Sequence, residues 1–265
     1  MNRNAQRIVD SPLGRRNPTV KLALLIVVSI VLVFLLDPVT PTVIWALGVL
    51  AAVTFARIPA RTLASAQLPF VAFAFGVFTV NVFSRPGEVL WQEGLLRVTA
   101  EGITIGAALA MRTLAIGVLS TTFLLSTDSV ALMTSLNQHA RLGARPSYAI
   151  LAGYRLLEHL DRQWLLIRHA QSVRAPVQRS GRPAGGWRPF ASAAFALLVV
   201  AVRHGERLSQ SLESRGLGLT PRTTWRPVPL THRDAVLSAV VLGVLSAVIT
   251  AAAVAGVLKP PSSLF

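Results

Sequence analysis

A stretch of small and charged residues, "SLESRG", ends an amphipathic pattern in the second half of the chain and carries Glu213, Ser214, Arg215 and Gly216. An arginine guanidinium holds a rigid fork of donors that binds a carboxylate in a bidentate way. A glycine after the arginine permits a left-handed helix cap and keeps the helix end uncrowded. We therefore expect Arg215 to project from a helix end towards a carboxylate of a partner. Because the helix dipole alone also favours an arginine there, one such cluster is weak evidence.

A second cluster of the same kind stands earlier in the chain. The stretch "AQSVRA" carries Arg174 and Ala175, and the Pro176 that follows would stop a helix. Two arginine clusters at the ends of two neighbouring amphipathic helices are stronger evidence than one. The sequence therefore predicts two arginine-tipped helices, each able to bind a carboxylate of a partner.

The helices that must position these arginines are visible as apolar patterns. The first, "PSYAILAGYRLLEHLDRQWLLIRHAQSVRAP", begins at Pro146, a residue suited to a helix start, and its apolar residues recur every three or four positions. This stripe comprises Ile150, Tyr154, Leu157, Leu160, Trp164 and Ile167. The second helix starts with an apolar run at 190–202, which is too short to cross a membrane, and continues into "SLESRG". A Gly/Pro/Arg-rich loop, "VQRSGRPAGGWRP", separates the two helices.

The composition indicates an integral membrane protein. The chain has 265 residues, of which 52% are hydrophobic and only 14% charged, yet its formal net charge is +15. Soluble domains average about 25% charged residues. The apolar runs are nearly free of charge and the arginines cluster between them, as expected of basic loops on the cytoplasmic side. Because anionic lipid headgroups and membrane topology account for the positive charge, we predict a lipid bilayer and no nucleic acid as partner.

Five apolar runs have about the length that a membrane-spanning helix needs. They cover 22–36, 40–56, 68–84, 102–125 and 235–258. The predicted fold class is therefore an all-α membrane protein, with about five transmembrane helices and a cytoplasmic domain of two long amphipathic helices. The predicted domains are 1–125, 126–232 and 233–265. The distribution of arginines predicts a cytoplasmic N terminus.

Two polar residues lie within the predicted spans. Arg112 is near the middle of the fourth span, where an arginine costs about 3 kcal/mol or more. We expect it to face the interior of the helix bundle and to pair with a backbone carbonyl or with a polar side chain such as Asn81 of the third span. A contact with a substrate or an ion is the less favoured alternative.

The sequence shows no catalytic or metal-binding pattern. Because it has no cysteine, it has no disulfide, thiolate metal site or cysteine nucleophile. Its five histidines are scattered, and no carboxylate completes a metal set with the two that share a helix. It also lacks a P-loop and the common hydrolase motifs. We predict no catalytic residue, no metal and no cofactor.

The order and spacing of the arginine clusters resemble those of the transmembrane T component of energy-coupling factor (ECF) transporters, the EcfT/CbiQ family, which take up vitamins and transition-metal ions in prokaryotes. "SLESRG" keeps the glutamate, arginine and glycine of the family's second arginine motif. "AQSVRA" is similar to the first motif, with Val173 where alanine is usual. The stretches "MRTLAIGVLSTTFLLSTDSVALMTSL" and "LGARPSYAILAGYRLLEHL", and Asp234 before the last span, also look like this family.

The resemblance implies a coupling subunit of the prokaryotic plasma membrane. It would join two cytoplasmic ATP-binding cassette (ABC) ATPases to a small membrane protein that captures the substrate. Arg174, Ala175 and residues 213–216 would contact the ATPases, on which ATP is hydrolysed. The two arginine-tipped helices would cross in the cytoplasm and transmit the motion of the ATPases.

Two other classes of function stay open from the residues alone. One is a permease that carries its own substrate, although the spans offer few polar ligands beyond Arg112 and Asn81. The other is a membrane-embedded enzyme or assembly scaffold with a basic cytoplasmic domain. A substrate bound by the chain alone would favour the first, and activity without ATPases would favour the second.

Overall fold

The structure is a computed structural model. It describes residues 8, 10–93, 96–140, 143–174, 186–219 and 227–256. Within these residues, helices account for almost all regular structure, so the predicted all-α class is confirmed. The helices are α1 (Pro18–Phe34), α2 (Val39–Thr54), α3 (Ala60–Ser84), α4 (Ala100–Leu125), α5 (Ser129–His139), α6 (Ala144–Arg174), α7 (Trp187–Ser214) and α8 (His232–Val254).

The chain divides into two compact units. The membrane unit consists of Met1–Leu132 and Pro229–Phe265, and the insert consists of Met133–Val228. The membrane unit contains α1 to α4 and α8, whereas the insert contains α6 and α7. Helix α5 runs across the boundary. The insert falls within the predicted domain 126–232, with both boundaries slightly further in.

Three helices of the membrane unit are long and apolar enough to cross a bilayer: α3, α4 and α8. Helices α1 and α2 are also apolar but shorter, with 17 and 16 residues. Each of the five predicted apolar runs therefore corresponds to an apolar helix. The largest difference is in α3, which begins at Ala60 instead of 68 and contains Pro69 in its interior. Membrane helices tolerate an internal proline, since neighbouring groups satisfy the freed carbonyl.

A short β-hairpin interrupts the polar link between α3 and α4, which the sequence did not predict. Its strands, β1 (Val89–Glu93) and β2 (Leu96–Thr99), are antiparallel. Thr99 closes its base, because the Thr99 hydroxyl donates to the Arg85 carbonyl at 3.0 Å and also accepts from the Gly102 amide at 3.1 Å. Strands this short are below the length at which a sequence pattern is reliable.

Helix α4 is the centre of the membrane unit and contacts α1, α2 and α3. Small residues permit this close packing, as they commonly do between membrane helices. A methyl group on Gly117 of α4 would lie 2.7 Å from the Phe70 ring of α3, and one on Gly48 of α2 would lie 2.8 Å from Val118. The buried Ala115 and Val118 connect α4 to two apolar clusters, one around Leu32 and one around Ile58.

Candidate functional site

The predicted left-handed cap at the end of α7 is present. Gly216 has φ +79°, a conformation that glycine adopts without a steric penalty. The Gly216 amide donates to the Glu213 carbonyl at 2.9 Å, and the Leu217 amide donates to the Leu212 carbonyl at 3.0 Å. This pair of bonds is the Schellman motif, which satisfies carbonyls that would otherwise lack partners at a helix end. Helix α7 therefore ends at a fixed position, directly before Arg215.

The charged side chains at this helix end are exposed. Glu213, Ser214 and Arg215 are all on the surface of the insert, and the Ser214 hydroxyl donates back to the Ser211 carbonyl at 3.0 Å. Among the described residues, the ion pairs comprise a single contact between Arg15 and Asp10. Within that part of the chain, Arg215 is thus not neutralised by an ion pair and is accessible to a carboxylate from outside.

The end of α6 also carries an exposed arginine. Arg174 is the last residue of α6 and is exposed, and its neighbour Val173 is 86% exposed. Just before these two residues, the Ser172 hydroxyl donates to the His169 carbonyl at 2.7 Å. Ala175, the other residue that the sequence assigns to this cluster, lies outside the described residues.

Helices α6 and α7 form an antiparallel pair. Near the end of α6, the Trp164 ring packs edge-to-face on Phe190 in the first turn of α7, with the ring centroids 5.4 Å apart. At the other end, a methyl group on Gly218 would lie 3.1 Å from the Arg145 guanidinium at the start of α6. Arg174 and Arg215 therefore lie at opposite ends of the pair. Helix α6 has 31 residues, and a helix of this size is about 45 Å long.

The structure does not bring the two intramembrane polar residues together. The Arg112 guanidinium donates to the backbone carbonyl of Leu35, where α1 ends, and the buried Asp37 carboxylate attracts it. Asn81 donates to the Val77 carbonyl one turn earlier in its own helix, at 2.8 Å. Arg112 thus contacts a backbone carbonyl, and the acidic group near it comes from the turn between α1 and α2.

Sequence reasoning did not predict that two charged residues of the membrane unit are buried, and it named one of them, Asp234, only as similar to the family. Asp234 is 2% exposed and Lys21 is 6% exposed, although Lys21 falls in what the sequence suggested to be a cytoplasmic tail. The signal that could have found Lys21 is its position directly before a charge-free apolar run. Asp234 stands three residues after Thr231, the spacing of a helix capping box.

Fold and site together define a multi-pass membrane protein that carries an antiparallel helix pair with an exposed arginine at each end. The model of the cobalt transport protein family, CbiQ, matches residues 10–225, and the chain belongs to this family. The match covers four of the five apolar helices and both arginine clusters. It confirms the resemblance that the sequence motifs suggested.

Curated relatives agree with the family. The energy-coupling factor transporter transmembrane protein EcfT of Heliobacterium modesticaldum is 26% identical over 244 residues, which is 89% of this chain and 91% of that protein. The protein of the same name from Thermosediminibacter oceani is 25% identical over 233 residues, or 85% of this chain and 88% of that protein. A putative ABC transporter ATP-binding protein of Bifidobacterium longum is 29% identical over 224 residues, which is 79% of this chain but 28% of that protein.

Proposed function

We propose that this chain is the transmembrane coupling subunit of an ECF transporter. It transmits the ATP-driven motion of two ABC ATPases to a membrane protein that captures a vitamin or a metal ion. The chain itself has no catalytic role, and ATP is hydrolysed on the partners. Family membership and the names of the relatives support the transport class.

The observation that carries the proposal is the position of the two arginines. Arg174 and Arg215 are exposed and lie at opposite ends of an antiparallel helix pair. Two such ends are suited to hold two copies of an ATPase, each by an arginine in an acidic groove. The Bifidobacterium longum relative supports the same partnership, because a protein with an ATP-binding name contains a region similar to this chain.

We further propose that Ala175, Glu213, Ser214 and Gly216 complete the two docking sites. Gly216 fixes the helix end, and Ser214 keeps the surface beside Arg215 small. The insert lies in the cytoplasm, as does the N terminus, and the membrane is the prokaryotic plasma membrane. The concentration of arginines in the insert supports this orientation.

Substitution of Arg215 tests the proposal. In the reconstituted transporter, Arg215→Ala should abolish coupled uptake, because truncating a buried charged contact costs about 2–5 kcal/mol of binding. Membrane insertion should be unchanged. Arg203→Ala is the matched control, since Arg203 is an exposed arginine on the same helix but away from its end. Normal uptake with Arg215→Ala, or a substrate bound by the purified chain alone, would contradict the proposal.

The orientation has a separate test. Because the chain has no cysteine, single cysteines can be introduced at Arg174 and Arg215 without a background signal. A membrane-impermeant thiol reagent should label them only after the membrane is opened. Labelling in intact cells would place the insert outside and would contradict the proposed topology.

A further inference from the structure

A buried polar cluster lies in the membrane unit where α1 and α8 begin and α4 ends. It consists of the buried Asn17, Lys21, Ser126 and Asp234 together with the exposed Thr231, and we call it the crossing clamp. Lys21 and Asp234 are 6% and 2% exposed. A charge buried this deeply is strongly unfavourable unless hydrogen bonds and nearby charges compensate it. Lys21 and Asp234 therefore require compensating contacts inside the membrane unit.

The Asp234 carboxylate connects the starts of two helices. One oxygen, Oδ1, accepts from the Asn17 amide directly before α1, at 3.0 Å. The other, Oδ2, accepts from the amide of Thr231 at 2.8 Å and from its hydroxyl, which caps α8. The positive ends of both helix dipoles thus favour its negative charge.

The Lys21 ammonium group occupies the complementary position at the end of α4. Its Nζ donates to the Ser126 carbonyl at 2.9 Å and lies 3.5 Å from the Ser126 hydroxyl. Ser126 caps the C terminus of α4, where the helix dipole favours a positive charge. The nearby Asp234 carboxylate adds an attraction. Each buried charge therefore lies at the helix end that suits it.

The crossing clamp lies where the chain passes between the membrane unit and the insert. The chain leaves the membrane unit through α5 a short distance after Ser126 and returns shortly before Thr231, because the unit boundaries fall at 132/133 and 228/229. We call these two passages of the chain between the units the crossings. The clamp thus fixes both crossings to the start of α1. Within the insert the two crossings meet again, since the Gln138 side chain accepts from the Val228 amide at 3.0 Å.

We propose that Lys21 and Asp234 are positioning residues for energy coupling. By holding both crossings on α1, the clamp makes α1, α4 and α8 respond together when the insert moves. Without these hydrogen bonds, the chain segments at the two crossings move when the insert moves, and the motion does not reach α1, α4 and α8. The inference rests on the proposed function, because it requires an insert that is moved by ATPases.

The test compares uptake with ATP hydrolysis in the complete transporter, reconstituted in liposomes. Lys21→Met keeps the chain length but removes the donor, and Asp234→Asn turns an N–H group towards the Thr231 donors. Each should lower the uptake per ATP hydrolysed by about three- to tenfold, the scale on which coupling residues act. The complex should still assemble, and Lys21→Arg should retain most of the coupling. Arg233→Gln is the matched control, because it removes an exposed charge beside Asp234 and should leave the ratio unchanged.

A distance measurement distinguishes positioning from general damage. Spin labels on cysteines at Val130 and Leu230 report the two crossings in the chain alone. The distance distribution should broaden in Lys21→Met and Asp234→Asn but not in Arg233→Gln. If uptake and ATP hydrolysis fall by the same factor, or if the distance distributions keep their width, the proposed positioning role of Lys21 and Asp234 is wrong. A wild-type chain that captures no ATPase would instead contradict the proposed function.

Discussion

The membrane unit and the insert differ in how they bury side chains. Among the described residues of the insert, the buried ones are Ser135, Ser147 and Ala193, all of them small. The membrane unit buries large side chains, with Leu32 and Val118 fully inaccessible. Because lipid is as apolar as these side chains, close packing between the helices is what stabilises the membrane unit. The described part of the insert has no comparable core of large buried side chains.

Both units expose apolar residues, but for different reasons. In the membrane unit, Phe73 and Phe75 are 65% and 71% exposed on an apolar helix, where lipid would cover them. In the insert, Trp187 and Phe195 are 78% and 68% exposed on an amphipathic helix. An exposed apolar face on a helix that is otherwise charged is typical of an interaction surface. The exposed apolar side chains of the insert therefore support the proposed contacts with partners.

The largest loss of stability should follow from substitution of Arg112, a polar residue inside the membrane unit. Arg112→Met removes the donor to the Leu35 carbonyl and the positive charge near the buried Asp37. It should lower the free energy of unfolding in detergent by about 2–3 kcal/mol, because the Leu35 carbonyl loses a charged hydrogen-bond donor and the Asp37 carboxylate loses a nearby positive charge. Denaturant unfolding followed by circular dichroism measures this change.

A double-mutant cycle checks the cause. Adding Asp37→Asn to Arg112→Met removes the uncompensated carboxylate and should recover part of the lost stability. If the two changes are simply additive, Asp37 and Arg112 do not interact. The membrane unit would then not need this pair for its stability.

The next effect concerns close packing between α3 and α4. A methyl group at Gly117 would lie 2.7 Å from the Phe70 ring, so Gly117→Ala forces one helix to move. Overpacking of this kind should cost about 1–3 kcal/mol of unfolding free energy in the same assay. Gly76→Ala in α3 is the control, because nothing lies within 4 Å of its added methyl group. Equal effects of both substitutions would contradict the tight packing.

A smaller effect is expected at the end of α7. Gly216 has φ +79°, a conformation that costs other residues about 1–2 kcal/mol. Gly216→Ala should therefore unwind the last turn without unfolding the membrane unit. Hydrogen exchange should accelerate at the Gly216 and Leu217 amides, which make the cap. Unchanged exchange there would contradict the capping geometry.

The smallest predicted change is a gain in stability instead of a loss. Gly153 and Gly205 lie inside α6 and α7, and nothing is within 4 Å of a methyl group on either. Because alanine is a better helix former by about 1 kcal/mol or less, Gly153→Ala and Gly205→Ala should stabilise the insert slightly. A thermal scan of helicity tests this. A loss of stability would show that the insert is packed as tightly as the membrane unit.

The local part of the fold was predictable, because it depends on neighbouring residues. Periodic apolar residues mark α6, charge-free runs mark the membrane helices, and a glycine after Arg215 marks the cap. The short hairpin and the start of α3 were not predictable. Few residues define such strands, and the basic stretch "RIPARTLASAQ" before 68 does not look like part of an apolar helix.

For the candidate site, the sequence identified the two arginine clusters but not their mutual arrangement. That Arg174 and Arg215 lie at opposite ends follows only from the pairing of Trp164 with Phe190 and of Arg145 with Gly218. For Arg112, the sequence predicted only that a backbone carbonyl or a polar side chain would be its partner. Its identity required the packing of α1 on α4.

By itself, the sequence determined that this is a membrane protein of the all-α class with two arginine-tipped helices, because helix period, span length and caps are local properties. Tertiary structure alone decided which polar groups compensate one another. Lys21 meets Ser126 across 105 positions and Asn17 meets Asp234 across 217. Such pairs form because a buried charge must find a partner wherever packing brings one close, and sequence distance does not constrain that choice.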